Sequence, residues 1–307
     1  MKILIVGGHS AHDPEITQMQ AYADFFAQAA RQTAPDSSAE FCFLDELAFW
    51  ITNDEFVVTD TRRDVPVDSY DVVVLRGRMR PYIMLASALS HYASAKGLRF
   101  FNDYSLYRPS SKLSQTIAMH EQGVPLPATL ACDHPEQLVA QAARRLTYPL
   151  IAKDTYGAHG DHNFLVHSED ELRDILRTHS TLSFVLQEFI PNDADYRILI
   201  IGNQQLIIRR QAVGDSHLNN TSRGATATLV NPQDFPAETL AYAQRFAHDL
   251  HLDIAGVDAI QHKETGEMFF LEVNSQPQLL TGAFVAEKAR LMADFLAGKQ
   301  GSSSPAV

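Results

Sequence analysis

Two acidic side chains interrupt apolar, strand-like segments late in the chain: Asp258 within IAGVDAI and Glu272 within MFFLEV. Side chains alternate along a strand, so Glu272 and Asn274 share a face, and a turn centred near Thr265 in Lys263-Glu264-Thr265-Gly266 sets Asp258 opposite Glu272. Carboxylates gathered inside apolar strands are costly unless a cation compensates them. Mg²⁺ takes a few carboxylate or amide oxygens together with nucleotide phosphates, and this trio offers that donor set. The competing reading is a solvated outer face, on which Asp258 and Glu272 only keep a sheet edge soluble.

The rest of the chain supplies the frame for that hairpin. From Lys2 to about Asp103, apolar runs (ILIV, FCFL, VVVL, LRFF) alternate with helical stretches near Glu15–Arg31 and Tyr82–Lys96. Such alternation predicts an α/β unit with a mostly parallel, Rossmann-like sheet over residues 1–108. Gly7-Gly8 after the first strand lacks the spacing of a dinucleotide turn. Ser110 is the expected N-cap of a helix running through Glu121, and Gly123 its stop. Beyond it the pattern changes to paired strands, which places an α+β central unit at 109–183 and a second at 184–297, with a disordered tail at 298–307. PLIAKD and NFLVH flank a Gly-containing loop, and Ser168 with Glu171 forms a capping box. VLQEFI, DYRILIIG and QQLIIRRQAV read as consecutive strands, the last two joined at Gly202-Asn203, followed by a helix from about Ala237 to Leu250.

With 307 residues, 45% of them hydrophobic and 20% charged, the chain has material for several packed layers. A formal net charge of -12 argues against a nucleic-acid partner, which needs clustered Lys and Arg. No run reaches transmembrane length and the N-terminus lacks a signal-peptide pattern, so a cytoplasmic location without membrane association is expected. Cys42 and Cys132 lie outside any CxxC pattern and read as buried thiols.

Two further constellations carry chemistry. Lys153 leaves an apolar strand just before Gly157-Ala158-His159-Gly160, an arrangement in which an ammonium meets one phosphate while backbone N–H groups cradle another. An ordinary hairpin with an exposed lysine fits the same residues. Arg197, Arg209, Arg210 and Arg223 supply planar forks suited to carboxylate and phosphate oxygens. Adjacent strand residues face opposite sides, so only one of Arg209 and Arg210 can share a cleft with Arg197, and a salt bridge to Asp193 or Asp195 is the plain alternative. The H-x-x-H-D at His9, His12 and Asp13 and the pair His159 and His162 read as hydrogen-bonding histidines rather than metal ligands.

In order along the chain these pieces resemble the ATP-grasp superfamily, and most closely the RimK-like ligases that add glutamate to peptides and proteins. The resemblance runs from about Lys112 to Leu279. Lys112 and Lys153 look like the family's paired nucleotide lysines, with Gly157 and Gly160 in the loop over the phosphates. Gln187, Glu188, Phe189 and Ile190 resemble the segment that holds adenine, and Asp195 with Arg197 its downstream D-x-R. Arg210, Asn220 and Arg223 match the family's R-R-x-A and S-N-x-x-R-G-G positions, and Asp258, Glu272 and Asn274 its metal ligands. The chain departs from the pattern at Asp161 and His162, where a basic residue and a glycine are usual, at Ser222, where a His is common, and at Gln278, where glycine is usual.

The resemblance implies an ADP-forming carboxylate–amine ligase working through an acyl phosphate, with ATP and Mg²⁺ (or Mn²⁺) as cofactors. A small-molecule, peptide or protein carboxylate and an amine acceptor would be its partners. Arg210, Arg223 and Arg197 would orient the carboxylate. Dimers and tetramers are common among such relatives. Two rivals stand beside this reading: an ATP-binding regulator with a degenerate site, motivated by Asp161 and His162, and an ATP-grasp kinase acting on a hydroxyl.

Overall fold

The computed structural model describes residues 1–10, 13–77, 79–105, 111–157, 162–211 and 226–299, apart from the side chains of Asp13 and Arg80. Its first sheet holds β1 (Lys2–Gly7), β2 (Ser38–Phe43), β6 (Val72–Leu75) and β7 (Arg99–Phe101) in the order β2-β1-β6-β7, all parallel. Helices α1 (Asp13–Arg31) and α2 (Ile83–Ala95) make the crossovers, as the alternation predicts. The sequence reading missed a small antiparallel sheet of β3 (Leu47–Ile51), β4 (Phe56–Asp60) and β5 (Val65–Pro66).

Helix α3 (Lys112–Glu121) is capped by Ser111, whose side chain accepts from the Ser114 N–H, and not by Ser110, which lies outside the described residues. Gly123 ends it with φ +69, a conformation that glycine adopts without a Cβ penalty. A four-stranded antiparallel sheet follows, built from β8 (Thr129–Ala131), β9 (Leu150–Asp154), β10 (Asn163–Val166) and β11 (Phe184–Glu188) in the order β10-β9-β11-β8. Helices α4 (Pro135–Arg145) and α5 (Glu169–Thr178) bury Leu138, Val139 and Leu172 against it. At the start of α5 only half of the expected capping box forms. Ser168 accepts from the Glu171 N–H, while the Glu171 carboxylate takes the His167 N–H instead of the cap's own.

The largest sheet is antiparallel and ordered β14-β13-β12-β15-β16, from β12 (Asp195–Ile201), β13 (Gln204–Gln211), β14 (Thr226–Val230), β15 (Ile254–Gln261) and β16 (Met268–Asn274). One face packs under α6 (Ala237–Asp249) through Ile198, Ile200, Ile207, Val257 and Phe270. The other face begins as core, where Leu199, Ile201 and Ile254 meet α1 and the last helix, α7 (Val285–Leu296), and then opens toward a cleft. Cys42 is buried and Cys132 only half-buried; both are free thiols. No helix among the described residues is long and apolar enough to cross a membrane.

Candidate active site

The hairpin β15–β16 pairs Asp258 with Glu272, as the turn near Thr265 requires, but it does so through a β-bulge. On the turn side Ala259 pairs with Phe270, and the register shifts between Asp258 and Ala259, leaving Leu271 as the extra residue. Met268, Phe270 and Val273 all enter the core under α6. Strict alternation would send Glu272 and Asn274 into that core with Phe270; the bulge turns both onto the opposite face, beside Asp258.

On that face two carboxylates of the sheet, Asp258 and Asp195, each meet an arginine directly across the ladder. Arg197 pairs with Asp258 in register and grips it with two bonds, Nε to Oδ1 and Nη2 to Oδ2, the latter at 2.6 Å. Arg210 pairs with Asp195 in register and donates Nε to Oδ1 at 2.6 Å and Nη2 to Oδ2 at 2.9 Å. The same Nη2 reaches Asp258 Oδ1 at 3.2 Å. Burial pushes Asp195 up, and Asp258's charge adds to this against the pull of Arg210. Burial works in the same sense on Asp258, yet its two guanidinium partners outweigh it and hold Asp258 below the usual carboxylate range. Arg210 is therefore the arginine that shares a face with Arg197, and its Asp195 partner is buried rather than at the surface. Gly256 makes room for the arrangement, because a Cβ there would stand 2.9 Å from Arg197 Cδ and 3.1 Å from Pro277 Cβ.

The lysines approach from the other side. Lys112 donates from Nζ to the Gly157 carbonyl, closing α3 onto the start of the glycine loop. Lys153 donates to Gln187 Oε1 at 2.6 Å, and Gln187 in turn donates to Thr129 Oγ1 at 3.0 Å. Burial pulls the Lys153 ammonium down to about 8; Lys112 adds to this, while Glu272 and Asp258 oppose it. The lysine thus feels both acids of the hairpin and the second lysine at once. Glu188 is exposed and takes the Ala128 N–H at 3.3 Å, Phe189 is half-buried and Ile190 buried. Gly160, Asn220 and Arg223 lie outside the described residues, as do Asp161 and Ser222.

A residue that the sequence reading missed joins the two sides. Gln115, one turn along α3 from Lys112, accepts the Val273 N–H at 3.0 Å and donates to the Val273 carbonyl at 3.1 Å. β16 is an edge strand, so both backbone groups of Val273 are available between Glu272 and Asn274. A polar residue on a helix just before a strand-rich unit gives no sign of such a partner.

The donor set suits a hard cation, with Glu272 and Asn274 half-buried, adjacent on one face and joined at 3.1 Å through Asn274 Nδ2 and Glu272 Oε1. Asp258 already accepts three bonds from arginines, which leaves about one of a carboxylate's four lone-pair sites for an ion. No group of three His, Cys, Asp or Glu side chains that could hold a metal occurs among the described residues, so any ion here draws on the Asn274 amide.

A model of the RimK-like ATP-grasp domain matches residues 110–288. The chain belongs to the RimK-like ATP-grasp family. It is accordingly an ATP-dependent carboxylate–amine ligase. Among its family relatives, one from Xylella fastidiosa (strain M12), named "Probable alpha-L-glutamate ligase", is 30% identical over 228 residues, covering 70% of this chain and 71% of that one. A relative with the same name from Xanthomonas oryzae pv. oryzae is 28% identical over 227 residues, covering 70% and 72%. The ATP-grasp fold is also that of a RiPP-associated ATP-grasp ligase from Chryseobacterium gregarium, solved with ADP and a leader and core peptide. Its TM-score is 0.70 at 16% identity, with 98% of each chain covered. A RimK domain ATP-grasp protein from Sphaerobacter thermophilus matches with TM-score 0.61 at 16% identity, covering 96% of this chain and 99% of that one.

Proposed function

We propose that this RimK-like ligase binds Mg-ATP between Lys112 and Lys153 on one side and Asp258, Glu272 and Asn274 on the other, and joins a carboxylate to an amine through an acyl phosphate. The single observation that carries the assignment is the meeting of Asp258, Glu272 and Asn274 on one face of the β15–β16 hairpin, with Lys112 and Lys153 fixed by the Gly157 carbonyl and Gln187. A triphosphate needs that alternation of charge: cations for its oxygens and hard ligands for its metal.

A carboxylate is a poor electrophile because a nucleophile meets a resonance-stabilised anion. Attack of its oxygen on the γ-phosphorus expels ADP and leaves an acyl phosphate. The amine lone pair then attacks the acyl carbon, phosphate departs with the C–O bonding pair, and the amine gives up a proton to solvent. Glu272, Asn274 and the remaining lone pair of Asp258 would hold the magnesium, which when bound offsets charge on the β- and γ-phosphates. Lys112 and Lys153 bind phosphate oxygens, with the backbone at Gly157 and Gly160 closing over them. Gln187, Glu188, Phe189 and Ile190 form the adenine segment, and Gln187 also fixes Lys153 in place. Arg210, with Arg197, Arg223 and Asn220, orients the carboxylate and its acyl phosphate. Asp195 gives both its oxygens to Arg210 and serves by aiming that fork.

The same reading divides the chain into a Rossmann-like unit at 1–108, a central unit at 109–183 and a C-terminal unit at 184–297, acting in the cytoplasm. The relatives named for alpha-L-glutamate make glutamate the first substrate to try, and the peptide complex of the Chryseobacterium gregarium enzyme adds peptides to the set. The test is a screen for ADP and phosphate release over pairs of amino acids and dipeptides with Mg-ATP. ADP release that requires both a carboxylate and an amine, with the amide found by mass spectrometry, is expected. A phosphorylated product without amide would replace this reading with a kinase.

A further inference from the structure

Beside the arginine pair the cleft continues into a small pocket, open to solvent, with room for about two water molecules. Arg197, Arg210, Lys288 and Gln278 line it together with Leu199 and Ile208. Its charge does not balance. Arg197 is matched by Asp258, and Arg210 by Asp195. Lys288, only 3% exposed, has no carboxylate within ion-pairing distance among the described residues, and its one hydrogen bond goes to the Thr281 carbonyl at 3.0 Å.

The position makes an unmatched cation more costly still. Lys288 stands in the first turn of α7, where the helix dipole already presents positive charge. Burial pulls its ammonium down to about 8, with Arg197's like charge adding to the effect. The Thr281 carbonyl needs only a neutral donor, which a shorter polar side chain would provide. A buried lysine kept at such cost without an acid beside it suits a site whose anion arrives with the ligand.

We propose that this pocket is a subsite for a second carboxylate of the substrate, one that the reaction leaves unchanged, with the Lys288 ammonium as its ionic partner. The inference rests on the ligase reading and narrows its substrate class. The substrate is an amino acid or short dicarboxylate whose reacting group lies at Arg210 and whose retained carboxylate lies at Lys288. Lys288 is in this sense a specificity-determining residue rather than part of the phosphate chemistry.

The test is calorimetric titration of the full chain, saturated with Mg-ADP, with L-glutamate, glutarate, 4-aminobutyrate and L-norvaline as probes, repeated for Lys288→Met and Lys288→Arg. The wild type should bind L-glutamate or glutarate, and Lys288→Met should weaken that binding at least tenfold, with partial recovery in Lys288→Arg and unchanged Mg-ADP affinity in both. Lys288→Met should also melt higher than the wild type at pH 7, because it relieves a buried charge, and the gain should shrink toward pH 10. Carboxylate affinity unchanged in Lys288→Met overturns the proposal, as does a wild type that binds Mg-ADP but none of the probes. A lower melting temperature with unchanged affinity would make Lys288 a strut for the turn at Thr281. Failure of the wild type to bind Mg-ADP would instead overturn the ligase reading and this proposal with it.

Discussion

Arg210 on β13 reaches across the whole of β12 to touch Asp258 on β15, Nη2 to Oδ1 at 3.2 Å, while the same Nη2 and Nε hold Asp195. One guanidinium therefore couples the group that would orient the substrate to the group that would hold the metal. Arg210→Met leaves Asp195 buried without a cation and should cost about 3–5 kcal/mol of stability. Arg210→Lys keeps the charge but loses the fork, and should cost about 2 kcal/mol while slowing amine-dependent ADP release on the order of a hundredfold. Thermal unfolding beside single-turnover ADP release separates the two effects. Equal rates for Arg210→Lys and wild type would remove Arg210 from the carboxylate site.

Gly256 tests the same network from the backbone side. An added Cβ would stand 2.9 Å from Arg197 Cδ and 3.1 Å from Pro277 Cβ. Arg197 cannot swing away cheaply, because two bonds pin it to Asp258. Gly256→Ala should lose about 1–3 kcal/mol of stability by overpacking, and activity should fall with it. A variant with wild-type melting temperature and rate would show that the arginine has room to move.

The two halves of this site were not equally readable in the sequence. Asp258 opposite Glu272 followed from the turn at Lys263–Gly266, because hairpin pairing is a local property. The face those residues occupy depends on the extra residue Leu271, whose trace in the sequence is the three-residue step from Phe270 to Val273 between core positions. Asp195 was legible as an arginine partner, but its burial was not, since that depends on three strands stacking side by side. Gln115 and Lys288 gave no signal at all. Each looks like an ordinary helix residue until a strand edge or an apolar pocket from elsewhere in the chain is placed against it. The strands β3 to β5 escaped because Trp50 and Ile51 are apolar yet exposed, which blurs the alternation that marks a half-buried strand.

Glu272 separates chemistry from folding. It is half-buried, and its hydrogen bond comes from Asn274 Nδ2, which a glutamine carbonyl can accept equally well. Glu272→Gln should therefore change stability by less than about 0.5 kcal/mol. With Glu272 holding the metal as proposed, the lost negative charge is worth several kcal/mol, so Mg-dependent ADP release should fall on the order of a thousandfold. Circular dichroism and a magnesium titration of the rate check both arms. Full ligation by this variant would refute the metal assignment.

Lys153 should make nucleotide binding depend on pH above neutrality. Burial and the charge of Lys112 lower its ammonium from the ordinary lysine value to about 8, with Glu272 and Asp258 opposing. Below about pH 8 the lysine is charged before ADP arrives, and binding needs no proton. Above it the neutral amine must take up a proton as phosphate binds, so affinity should fall by up to tenfold per pH unit until the raised pKa of the complex is reached. The stability sign runs the other way. Between about 8 and the unfolded value the unfolded chain binds more protons, so the free protein gains stability from this residue as pH rises. Lys153→Met should bind Mg-ADP weakly at every pH and lose the slope, leaving only what Lys112 contributes. Calorimetric titrations with Mg-ADP from pH 7 to pH 10 would measure it, and an identical slope in Lys153→Met would move the phosphate contact away from this lysine.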